Sequence, residues 1–227
     1  MKKIFKDWNL FEICFLSISL LTIFFCFIFS SDKSIITLIA SLLGVITVLC
    51  GAKGLIIAPF INIIYNLIYI FLSFSQKFYG EVIIYVFFMI PLHVITIISW
   101  LKNRSKENKN IVSVNKISLK EYIILIIGTI GVSIIFYNIL KLLNTNALLI
   151  STISLVDSFL ASYLLFRRSS NYAFSYIVND IILIILWMYT IKTTTAYIPI
   201  IVSFMIFLIN DIYGLISWKK REKHQNK

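Results

Sequence analysis

The sequence predicts an all-α integral membrane protein of about eight transmembrane helices, ordered as one helix, a triple, a connector and a second triple. Three observations carry that prediction. Of 227 residues, 59% are hydrophobic and only 14% charged, and the mean hydropathy is +0.93, too apolar for a soluble domain of this length. Apolar stretches of about 20 residues follow one another, each long enough to cross a bilayer. The positive charges fall on alternate loops.

The expected spans are residues 10–30, 34–50, 55–74, 82–101, 121–140, 147–166, 172–191 and 197–217. A β-barrel is excluded because the apolar runs are continuous rather than alternating. The first run follows Lys2, Lys3 and Lys6, as a signal peptide would. It is too long for one and lacks a small-residue cleavage site, so it is read as a helix. Of the 21 Lys and Arg residues, 17 fall on the side of the two termini, leaving Lys33, Lys77, Lys141 and Lys192 on the other. The positive-inside rule then places a multi-pass protein in the inner (cytoplasmic) membrane with both termini cytoplasmic.

The net charge of +11 thus reads as a topology signal and as attraction to anionic lipid. The basic segment 102–120 is interrupted by Glu107 and several Asn, without interleaved aromatics, so nucleic acid is not an expected partner. Cys14, Cys26 and Cys50 fall inside spans without paired spacing and read as packing thiols. No Walker loop, HExxH, GxSxG or GxGxxG occurs. Neither an enzyme nor a cofactor or metal site is expected.

The chain also repeats itself. The fourth span ends Ile98-Ser99-Trp100 and the eighth Ile216-Ser217-Trp218; seven residues before each Trp stand His93 and Asp211. Asn62 precedes Trp100 by 38 residues and Asn179 precedes Trp218 by 39, so the two asparagines are matched with one indel. The expected organisation is an N-terminal helix (1–33), a first triple (34–101), a loop and connector helix (102–146), a second triple (147–218) and a basic tail (219–227). Because one connector separates them, the triples run parallel, related by an approximate two-fold axis along the membrane normal.

Three carboxyl groups fall inside the second triple: Asp157, Asp180 and Asp211. Each costs about 2.5–3.5 kcal/mol to insert, so a shared lumen is expected to hydrate or pair them. On the third span Asn62, Tyr65, Asn66 and Tyr69 share one face; on the seventh, Tyr172, Tyr176, Asn179, Asp180, Leu183 and Trp187 do. Amide groups mixed with aromatic faces suit a flat heteroaromatic ring bearing an amide or hydroxyls. Interhelical hydrogen bonding is the plainer use of the same residues. His93, two residues after Pro91, stands where a kink could open the fourth span. Trp100 and Trp218 read as interfacial anchors.

The segment Gly44-Val45-Ile46-Thr47-Val48-Leu49 leading to Ala52-Lys53-Gly54, the pair Val156-Asp157, the run Val178-Asn179-Asp180 and the closing Asn210-Asp211-Ile212-Tyr213-Gly214 with Trp218 resemble the PnuC family of nicotinamide riboside transporters. The resemblance covers roughly residues 35–221. It implies a SWEET-like fold of duplicated three-helix units and facilitated diffusion, with the vitamin trapped inside the cell through phosphorylation by a separate kinase. The sequence departs from the family pattern at Tyr172 and Tyr176, where Trp is usual, and at Thr96, where Gly is common. A thiamine- or riboflavin-specific relative therefore stays open, as does a vitamin-binding subunit that needs an ATPase partner. The expected substrate-binding residues are Asn62, Asn66, Tyr69, Tyr176, Asn179, Asp180, Trp187 and Asp211. The expected partners are a small vitamin and the lipid bilayer, with homo-oligomerisation left open.

Overall fold

The computed structural model describes residues 8–191 and 194–225. Lys2, Lys3, Lys6, Lys192 and Lys227, which enter the charge count, lie outside the described residues. Among those described, eight helical segments are long and apolar enough to cross a membrane. They are α1 (Leu10–Phe29), α2 (Ile35–Ala52), α3 (Ala58–Ser75), the composite of α4 (Tyr79–Ile84) and α5 (Ile90–Lys102), α6 (Leu119–Leu142), α7 (Leu148–Phe166), α8 (Tyr172–Ile191) and α9 (Ile198–Gln225). The protein is a multi-pass membrane protein, and with eight crossings the start of α1 and the end of α9 lie at one face, called the terminal face below.

Local chemistry fixes the helix starts. Asn9 and Glu12 form a reciprocal capping box on α1, each side chain accepting from the other's backbone N–H at 2.8 Å. Ser34 caps α2 and Ser118 caps α6. α3 has no side-chain cap and opens with Pro59 in its first turn. The fourth span is interrupted by a π-helical turn, Tyr85–Met89, which ends one residue short of Pro91. Proline offers no N–H and crowds the preceding turn; widening that turn absorbs the defect without a break. The span boundaries follow the sequence closely, except that α9 runs on to Gln225.

α9 packs against α8, α2 and α1, and α7 against α8, whereas α6 touches chiefly α7 and leaves most of its apolar surface outward. The chain after α5 folds back on the α2–α3 turn, where Val112 N–H donates to the Gly54 carbonyl and Ile56 N–H to that of Asn110.

The turns that follow α2 and α7 are built alike. Gly54, Leu55 and Ala58 donate to the carbonyls of Gly51, Cys50 and Leu55; Arg168, Ser169 and Tyr172 donate to those of Leu165, Leu164 and Ser169. Gly54 and Arg168 are the positive-φ residues of the two turns, at 68° and 57°. Arg168 holds that left-handed conformation with a β-carbon, anchored through its guanidinium to Ser113.

The two tryptophans correct the sequence expectation of interfacial anchoring. Trp100 and Trp218 are fully buried, with ring centroids 6.0 Å apart. Trp100 Nε1–H donates to the Leu165 carbonyl at the end of α7, and Trp218 Nε1–H to the Gly51 carbonyl at the end of α2. Indoles serve interfaces when one edge stays wet; here the N–H edge closes a helix end instead. At the same face a buried Lys53–Glu12 ion pair, joined by Tyr213 Oη at 2.8 Å, ties α1 to α2 and α9. At the opposite face the Asp32 carboxylate accepts from Thr194 Oγ1 at 2.8 Å and Thr195 N–H at 3.1 Å, which holds its pKa below the usual carboxylate range.

Candidate central binding cavity

The polar stripe of α3 meets that of α8 across a cavity in the middle of the bundle. Its walls include Asn62, Tyr65 and Asn66 from α3, Tyr176, Asn179 and Asp180 from α8, and Phe204, Phe207 and Asp211 from α9; Tyr85, Met89 and His93 complete it from the fourth span. The 3.6-residue period of each helix places these side chains inward. Six of the eight expected binding residues therefore converge: Asn62, Asn66, Tyr176, Asn179, Asp180 and Asp211.

Tyr69 and Trp187 do not line the cavity. They are fully buried in an aromatic layer toward the face away from the termini. There Trp187 Nε1–H donates to Tyr69 Oη at 2.7 Å, and Phe78 and Tyr197 pack on the indole at 5.3 Å. Toward the other face, Tyr172 packs edge-on against Trp218 at 4.8 Å. The cavity thus lies between two aromatic layers.

The wall groups are partly committed to the protein. Asn179 Oδ1 accepts from Ser158 Oγ at 3.1 Å. The Tyr176 and Ser162 hydroxyls pair at 2.8 Å. His93 Nδ1 lies 2.6 Å from the Met89 carbonyl, a group that only accepts, so Nδ1 carries the proton and Nε2 is left as an acceptor. Asp180 and Asp211 are buried side by side in the wall, close enough for their carboxyl groups to share a proton; Asn210 Nδ2 donates to Asp211 Oδ1 at 3.3 Å. Other groups have no partner in the protein: Tyr65 Oη, Tyr172 Oη and Asp180 Oδ2, all on residues of the cavity wall. Buried polar atoms are seldom left unpaired, and three converging on one cavity mark a place made to hold a polar ligand.

The expected lumen shared by three carboxyl groups is corrected in membership. Asp157 lies in a separate groove between α6 and α7, with Ser133, Tyr137, Asn138 and Thr152, because α7 turns that face toward α6 rather than toward α8. Sequence reasoning also passed over Glu81, which precedes the expected start of the fourth span. The helix begins earlier, at Tyr79, and Glu81 is fully buried, accepting from Ser154 Oγ at 2.5 Å and Tyr69 Oη at 3.4 Å. Tyr85, Met89, Phe204 and Phe207 were missed as well, since apolar and aromatic residues inside a span look alike whether they face lipid or a cavity.

Known proteins resemble this chain in sequence and in fold. The family described as "Nicotinamide mononucleotide transporter" matches residues 34–220. A protein of Neisseria mucosa named nicotinamide riboside transporter PnuC is 22% identical over 99% of this chain and 87% of its own length. One of the same name from Haemophilus influenzae is 21% identical over 97% and 95%. The solved structure titled "Crystal structure of the Vitamin B3 transporter PnuC" superposes with a TM-score of 0.86 at 22% identity, covering 97% of this chain and 95% of that one.

Proposed function

The chain belongs to the nicotinamide mononucleotide transporter family, and from that premise we propose that it carries nicotinamide riboside across the inner membrane by facilitated diffusion through the central cavity. The family is one of transporters, not enzymes. The observation that carries the reading is the convergence of unpartnered polar atoms and aromatic faces between two aromatic layers, midway through the bundle. Asn62, Asn66, Tyr176, Asn179, Asp180 and Asp211 are the proposed contacts to the carboxamide, ring and ribose. Tyr69 and Trp187 belong to the closing layer behind them.

Two parallel triples, α2–α5 and α7–α9, are the proposed moving halves. The matching turns after α2 and α7 and the reciprocal tryptophan bonds support a two-fold relation between them. The turn bonds support a register in which Ala58 corresponds to Tyr172, so that Tyr65, rather than Asn62, stands opposite Asn179, Asn66 opposite Asp180 and Asn62 opposite Tyr176. The charge distribution supports cytoplasmic termini. A periplasmic reporter enzyme fused after Lys227 is expected to be inactive, and an active fusion would overturn the orientation.

Uptake of labelled nicotinamide riboside into liposomes holding only this protein tests the function. Equilibration without ATP is the expected result. Absence of uptake by folded protein would favour a subunit needing an ATPase, uptake of thiamine or riboflavin alone would reassign the vitamin, and accumulation driven by an imposed pH gradient would overturn the passive reading.

A further inference from the structure

Resting on nicotinamide riboside as substrate, we propose that the cavity selects the fixed positive charge of the nicotinamide ring, with the Asp180–Asp211 carboxyl pair supplying one opposite charge, and so prefers flat aromatic cations over uncharged rings of the same shape. Attachment of the ribose to the pyridine nitrogen makes that ring a permanent cation. Burying a cation is costly unless an opposite charge or a preorganised set of dipoles meets it.

The wall supplies both. It contains no Lys or Arg, and Asp180 and Asp211 are its two acidic residues. Both are buried, and Asp180 Oδ2 has no partner in the protein. Tyr65, Tyr85, Tyr176, Phe204 and Phe207 share the same wall, and an aromatic ring attracts a cation that lies against its face. At the terminal face Lys53 is held by Glu12, and Arg221 lies over the Trp218 ring at 4.6 Å and donates to the Ala52 carbonyl; neither side chain is part of the cavity wall.

The two triples offer different chemistry at corresponding levels. The turn register sets Asn66 of the first triple against Asp180 of the second, and the tryptophan register sets His93 against Asp211. One half thus presents an amide and an imidazole acceptor where the other presents carboxyl groups. A ligand with a charged ring at one end and neutral hydroxyl groups at the other fits in one orientation: ring toward α8 and α9, ribose toward α3 and α5.

Calorimetry on the full-length purified protein, with nicotinamide riboside and its reduced dihydropyridine form as probes, tests this. The reduced form keeps the amide and the ribose and loses the charge. It is expected to bind at least about tenfold more weakly. Asp180→Asn is expected to narrow that gap by weakening the charged form more than the neutral one. Asp211→Asn serves as the second variant, with a melting curve on each to establish folding. Equal affinity of the wild type for both forms, or an unchanged preference in folded Asn variants, would overturn the charge-selection proposal alone. Binding of neither form by folded wild type would overturn the substrate assignment, and charge selection with it.

Discussion

Replacing Asn179 separates two roles that the structure combines in one side chain. Its Oδ1 accepts from Ser158 Oγ on α7 at 3.1 Å, and the same residue, 2% exposed, lines the cavity. The bond to Ser158 ties two helices; interhelical bonds of this kind are worth about 0.6–1.7 kcal/mol in a membrane. At about 2–4 °C per kcal/mol for a protein of this size, losing it lowers Tm by a few degrees. A contact to substrate is a separate quantity. Leaving a desolvated ligand group unpaired costs about 1–3 kcal/mol, or about 5- to 150-fold in Kd. Ser158→Ala removes the tie and leaves Asn179 in the wall, so it is expected to lower Tm without that loss of affinity. Asn179→Ala is expected to do both. Calorimetric Kd and Tm measured on the two purified variants decide the matter. If Asn179→Ala binds as tightly as Ser158→Ala in the folded fraction, Asn179 is an interhelical tie and not a ligand contact.

Further outcomes follow from the same geometry. Glu81→Ala removes the acceptor shared by Ser154 and Tyr69 and is expected to cost about 1–3 kcal/mol for two intramembrane hydrogen bonds; Glu81→Gln keeps an acceptor oxygen and should cost about half, and equal melting points would contradict the network. Gly80→Ala would set a β-carbon 2.9 Å from the Ser151 backbone carbonyl and is expected to lose about 1–3 kcal/mol by overpacking α4 against α7, read as a lower Tm; an unchanged Tm would refute that contact. Asp32 has a lowered pKa, so its contribution is present above its unfolded value near 3.9 and fades as pH falls through the folded value. The Tm difference between wild type and Asp32→Asn should therefore close as pH drops below about 4, and a constant difference would disprove the linkage.

The helices were legible because membrane spanning is written in composition: a long apolar run has few alternatives to a helix in lipid. The site was legible in part for a related reason. Asn62, Asn66, Asn179, Asp180 and Asp211 are costly in a bilayer and stand out from their surroundings, and helical periodicity places them on inward faces. Tyr69 and Trp187 share those faces but sit farther along the helices, at a level where side chains from four elements close the bundle; periodicity gives direction, not depth. The π-helical turn at Tyr85–Met89, which brings Tyr85 and Met89 to the cavity, has no sequence pattern of its own. Glu81 was hidden by a helix start three residues earlier than the hydropathy suggested, and the tryptophans by the ordinary preference of indole for interfaces. The repeat register drawn from asparagine spacing differs from the one proposed from the turns, since like residues need not stand at like backbone positions.

The exchange of tryptophan bonds between the halves bears on how the chain is made. Synthesis delivers Trp100 to the membrane before α7 exists, and its acceptor, Leu165, lies 65 residues downstream. The Gly51 carbonyl waits longer, since its donor, Trp218, comes 167 residues later. A product that stops before α9 keeps the Gly54 N–H on the Gly51 carbonyl but lacks the indole that takes its second acceptor position and covers the end of α2.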